Sequence, residues 1–113
     1  MQVQVNTDAN VAGREALAHH VETEVKATLG KYGGWITRVE VHLSDDNAAK
    51  GGGKKCLMEA RLAGRPPVVV SHEHAALHEA IGGAAKKMNR LLETALGRVK
   101  DHKGDTSIRD AKD

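Results

Sequence analysis

At 113 residues, 40% apolar and 28% charged, the chain has the composition of one globular domain and not of a disordered, collagenous or disulfide-built protein. Seventeen Lys and Arg against fifteen Asp and Glu leave a net charge of +2, so attraction to a polyanion has to come from local clustering of charge. Aromatic residues are 2%, Tyr32 and Trp35 with no Phe, which leaves almost no scope for recognising bases by stacking, and the single Cys56 excludes both an internal disulfide and a multi-cysteine zinc site.

The chain opens on a period of two. Met1, Val3 and Val5 fall on one side and Gln2, Gln4 and Asn6 on the other, the pattern of a half-buried strand. From about Asn10 the period lengthens: Leu17, Val21, Val25 and Leu29, with Tyr32 beyond them, predict a helix laid against a sheet, ended by Gly33 and Gly34, which tolerate positive φ. Alternation returns from Trp35 to Leu43, with Val39, Val41 and Leu43 facing inward and Arg38, Glu40 and His42 outward. The polar, glycine-rich stretch from Ser44 to Gly53 reads as a hairpin loop. A third strand follows over Lys55 to Leu62, with Cys56, Met58, Ala60 and Leu62 inward. Ala63 to Pro66 makes a turn, and Pro67 to Ser71 is a short fourth strand, placed at an edge because proline lacks the ladder donor. Leu77, Ile81, Ala84, Ala85, Met88, Leu92, Ala95 and Val99 keep helical spacing over about six turns.

The order β-α-β-β-β-α predicts a single α+β domain over 1–101: a four-stranded mixed sheet with two helices packed on one face and the other face toward water. Residues 102–113, charged and without an apolar face, read as a flexible tail. The first residues lack the basic and apolar regions of a signal peptide, and no run approaches the roughly 20 apolar residues needed to span a bilayer. The expectation is a cytoplasmic protein with no membrane partner.

Motifs for chemistry are sparse. Gly51-Gly52-Gly53-Lys54-Lys55 falls short of a phosphate-binding loop, with Ala48 and Lys55 where that motif needs Gly and Ser or Thr, and no helix pattern follows it. His74 and His78, four apart, would share one helix face and with His72 make candidate metal ligands. Ala75 and Leu77 stand where the zinc-helix motifs require Glu, so the cluster reads as solvated histidines at a helix start and no metal is expected. Ser44, Ser71 and Ser107 lack a nucleophile elbow, and Cys56 lies on an apolar strand face, where thiols are packing residues. The reading is a binding protein, with no enzymatic activity, cofactor or small-molecule substrate.

The basic residues say more. Lys87, Arg90, Thr94 and Arg98 follow at spacings of three and four opposite the apolar stripe of the last helix, with Lys86 beside them, while Lys54, Lys55, Arg61 and Arg65 add charge from the second hairpin. Such a ridge is suited to contacts with phosphates. Gly82, Gly83 and Gly97 each cost a helix about 1 kcal/mol relative to Ala, and close backbone approach to the sheet or to a partner would explain them.

The order of elements and the last helix together resemble the ribosome hibernation-promoting factor family, also called protein Y or sigma-54 modulation proteins, over about residues 1 to 104. That family's second helix has a pattern like Tyr-x-Ala-Ile-Asp-x-x-x-x-Lys-Leu-x-Arg-Gln-Leu. Here Ala80, Ile81, Lys87, Arg90 and Leu92 match it, Met88 replaces a Leu, and His78 and Gly82 stand at the Tyr and Asp. Glu15-Ala16-Leu17 in the first helix and the ending around Thr106 to Ala111 are also similar to short members. The resemblance implies a fold like double-stranded-RNA-binding domains and a factor that binds small-subunit, 16S-type rRNA in the tRNA and mRNA channel of the ribosome, inhibiting translation and preserving idle ribosomes in stress or stationary phase. It carries an rRNA-contacting role to Lys87 and Arg90, with Lys26 and Lys31 as weaker additions. The resemblance is to short members, so pairing of ribosomes, which long members achieve with an extra domain, is not among the expectations. The alternative is a diverged member that acts as a regulatory protein-interaction domain without binding ribosomes.

Overall fold

The computed structural model describes residues 1–8, 13–45 and 53–104, with side chains through 96. Strand β1 (Gln2–Thr7) leads into helix α1 (Arg14–Leu29), and strands β2 (Ile36–Asp45), β3 (Lys54–Leu62) and β4 (Val68–His74) precede helix α2 (Leu77–Gly104). The four strands lie in the order β1-β2-β3-β4. β1 runs parallel to β2, pairing Val3 with Val39, because α1 carries the chain back across the sheet; the other neighbours are antiparallel. This is the expected α+β domain with a mixed sheet and both helices on one face.

The core lies between that face and the helices. Val39, Val41 and Leu43 from β2, Cys56, Met58, Ala60 and Leu62 from β3, and Val70 from β4 are buried under Leu17, Val21, Val25 and Leu29 of α1 and Ile81, Met88, Leu92 and Leu96 of α2. With no Phe available, fit comes from small residues. Ala80, Ala84 and Ala85 are fully buried and let α2 approach the strands closely, while Met88 and Leu92 fill the space farther along. Met1, Val3 and Val5 pack half-buried at the β1 edge.

Several local expectations are corrected. In β2 the alternation breaks at its start: Ile36 and Val39 are both buried because the register with β3 shifts between Ile36 and Arg38, and Thr37 Oγ1 donates to the Arg61 carbonyl at 3.1 Å. Helix α1 ends without positive φ. Gly30–Tyr32 continues as a tight 3-10 turn, Gly33 has φ −57° and donates to the Gly30 carbonyl, and the left-handed glycines among the described residues are instead Gly13, φ +69°, before α1, and Gly64, φ +71°, in the turn before β4. The hairpin strands reach farther into the expected loop, Asp45 pairing with Lys54; residues 46–52 of that loop lie outside the described residues.

β4 runs three residues beyond Ser71. Pairing of Leu57 with Ser71, Cys56 with His72, Lys55 with Glu73 and Lys54 with His74 supplies the ladder bonds that hold it. His72 and His74 are therefore strand residues, and α2 begins at Leu77, so His74 and His78 do not share a helix face. His74 instead supports the helix start, its Nδ1 accepting the Ala76 N–H at 3.0 Å, while the Ala76 carbonyl accepts from Glu79 and Ala80. Leu96 joins the buried stripe of α2, whereas the side chain of Val99 and residues 105–113 lie outside the described residues.

Candidate nucleic-acid interface

Helix α2 crosses the edge strand β4 and leaves an open groove of about 300 Å³ between them. One wall is the outer face of the helix, where Glu79, Gly83, Lys86 and Arg90 recur at spacings of three and four with Gly82 and Lys87 beside them. The strand contributes His72 and His74, two residues apart and so on the same side of β4. The glycine pair makes this possible. A β-carbon at Gly83 would overlap the His72 ring, so the absence of a side chain lets the imidazole lie against the helix backbone; a β-carbon at Gly82 would meet nothing within 4 Å.

Charge in the groove is lopsided: Lys86, Lys87 and Arg90 face a single acid, Glu79. Lys87 Nζ donates to the Ser71 carbonyl at 2.8 Å, which fixes its stem along the strand edge and satisfies an edge acceptor. Lys86 and Arg90 are exposed, so their donors face solvent.

His78, one of the three candidate ligands, turns away from His72 and His74. His78 stacks on His20 of α1 with ring centroids 4.0 Å apart and an interplanar angle of 14°, and among the described residues no three His, Cys, Asp or Glu side chains gather around one point. Cys56 is fully buried, and that burial pushes its thiol up to about 12, far from a reactive thiolate. Tyr32 is likewise shifted upward, first by burial and then by the negative charge of Glu93.

The sequence profile of the sigma-54 modulation protein / S30EA ribosomal protein family matches residues 3–100, which takes in all of β1 but its first residue, the other strands, α1 and most of α2. The chain belongs to that family. The S30EA architecture recurs in solved structures: the N-terminal domain of Thermus thermophilus Protein Y is 22% identical, with a TM-score of 0.69 over 84% of this chain and 99% of that one. A ribosomal subunit interface protein from Coxiella burnetii is 13% identical, with a TM-score of 0.72 over 86% of this chain and 99% of that one. At these identities the likeness is one of fold. No curated protein matches the chain.

Within this S30EA-family chain the other basic residues singled out from the sequence are dispersed. Arg61 lies on the open face of the sheet, held by Glu40 at 3.4 Å and Glu59 at 3.6 Å, with Arg38 also paired to Glu40. Lys54 pairs with Asp45 at 3.8 Å, Lys55 lies half-buried on the strand face away from the helices, and Arg65 is exposed in the turn before β4. On α1, Lys26 pairs with Glu22 at 3.4 Å, and Lys31 sits 5.4 Å from the centre of the Tyr32 ring. The side chain of Arg98 lies outside the described residues. His72 and His74 are the groove residues that the sequence pattern missed as part of the basic ridge; their alternate positions on a strand beside a helical Gly-Gly pair are the signal that could have found them. Among the described residues no helix is long and apolar enough to cross a membrane.

Proposed function

We propose that this S30EA-family chain is a non-catalytic ribosome-associated factor that lies against small-subunit rRNA in the tRNA and mRNA channel and holds ribosomes idle under stress or in stationary phase. The observation that carries this reading is the convergence of Lys86, Lys87 and Arg90 on one groove with a single opposing carboxylate. Cations fixed on a rigid helix at spacings of three and four present donors to successive phosphates, and contacts of this kind supply affinity and register without reading bases. The near absence of aromatic residues agrees with recognition by shape and backbone. The names of the similar folds, Protein Y and a ribosomal subunit interface protein, support the same partner. In this reading residues 1–101 form the binding unit, 102–113 follow as a charged tail whose first three residues continue α2, and the protein works in the cytoplasm.

Co-sedimentation with ribosomes through sucrose gradients at several salt concentrations tests it. Saturable binding near one protein per ribosome that weakens with salt, and its loss in a folded Lys87→Glu/Arg90→Glu variant, is the expected result. Wild-type protein that stays at the top of the gradient at low salt overturns the proposal and turns attention to protein partners.

A further inference from the structure

We infer that His72 is a phosphate ligand of the groove and gains a proton as an RNA backbone binds, so that affinity for ribosomal RNA rises as pH falls from 7.5 to 5.5. This rests on the ribosome-binding reading and adds to it a contacting residue and a regulation.

His72 is half-buried in the groove, seated where Gly83 leaves room, and among the described residues no group bonds to either ring nitrogen. The charged and titratable groups around it come from four elements. On α2 they are Lys86, Lys87, Arg90 and the carboxylate of Glu79, with His78 near the helix start turned onto His20 of α1. On β4, His74 shares the groove and Glu73 faces the other side of the sheet, in register with Lys55; on β3 the ladder partners are Cys56, held as a neutral thiol, and Lys54. A phosphodiester lying among Lys86, Lys87 and Arg90 brings beside His72 a negative charge in addition to the Glu79 carboxylate of the free groove. It also brings acceptor oxygens to which an imidazolium can donate. Imidazole is the side chain whose charge changes between pH 5 and 8. Phosphate binding and proton uptake at His72 are then linked, each favouring the other by the same factor.

His74 differs. Its Nδ1 already accepts the Ala76 N–H at 3.0 Å, so that nitrogen is committed to the start of α2 and is not offered to a phosphate. The linkage therefore amounts to one proton, carried by His72.

The experiment measures dissociation constants for purified ribosomes by co-sedimentation at pH 5.5, 6.5 and 7.5, at constant ionic strength and magnesium, with circular dichroism showing each variant folded. One linked proton permits at most about tenfold per pH unit. For the wild type about five- to tenfold tighter binding at pH 5.5 than at 7.5 is expected. His72→Gln should lose the pH dependence, binding no more tightly at pH 5.5 than at 7.5; His74→Gln should keep that dependence. Wild-type binding that does not change with pH, or a pH dependence that survives in His72→Gln, overturns the inference and leaves the ribosome-binding reading standing. No binding at any pH brings down both.

Discussion

The imidazoles of His20 on α1 and His78 on α2 lie nearly parallel, with their centres 4.0 Å apart, and form a polar stitch between the two helices. Stacked rings are worth about 0.5–1.5 kcal/mol beyond the area they bury. A double-mutant cycle with His20→Ala and His78→Ala, followed by thermal unfolding at pH 8, should give a coupling energy in that range, the double variant being destabilised by less than the sum of the two singles.

The two adjacent glycines of α2 are expected to respond oppositely to alanine. At Gly82 the added methyl meets nothing within 4 Å, so the helix gains roughly 0.5–1 kcal/mol and the melting temperature rises by a few degrees. At Gly83 the methyl must displace the His72 ring, which cancels or reverses the gain. Parallel melting curves of Gly82→Ala and Gly83→Ala check the contrast.

Cys56 should resist thiol reagents at pH 8 until the protein unfolds, because burial holds its thiol up at about 12. The sign for stability follows. Between about pH 8.5, where an exposed thiol ionises, and 12 the folded state keeps a proton that the unfolded state releases. This residue's stabilisation is thus complete below about pH 8.5 and declines above it, by up to about 1.4 kcal/mol per pH unit. Denaturant titrations at pH 8 and 10 should show a smaller loss for Cys56→Ala than for the wild type.

Basic residues on the two sides of the sheet are expected to part company in ribosome binding. Arg90→Gln, in the groove, should weaken co-sedimentation and lower the slope of log K against log salt by about one unit. Arg61→Gln, whose guanidinium is held by Glu40 and Glu59 on the open face, should leave both within experimental error.

Much of this architecture was legible because each buried face writes its own period. Val39, Val41 and Leu43, then Cys56, Met58, Ala60 and Leu62, alternate because one side of the sheet is covered. Leu17, Val21, Val25 and Leu29 recur every four because one stripe of α1 is covered. The end of β4 was not legible. Ser71 to His74 belong to a solvent-exposed edge whose strand character comes from pairing with Lys54 to Leu57, a partner far away in the chain. The same non-local pairing decides the site. Lys86, Lys87 and Arg90 are visible as a helix ridge in the sequence, but only the crossing of α2 over β4 brings His72 and His74 to it, and only the packed structure shows that Gly83 makes room for a ring. Arg61 illustrates the reverse case, a basic residue beside others in the sequence that the pleat sends to the opposite side.

The bond from Lys87 to the Ser71 carbonyl bears on how the protein keeps to itself. β4 is an outer strand that begins with three valines, one of them 53% exposed, the kind of margin onto which another strand adds in fibrils and swapped dimers. An ammonium seated on one of its carbonyls removes an acceptor that a newcomer would need and leaves a charge in its path. The lysine offered to the partner is thus, in the free protein, also a bar to self-association along this margin.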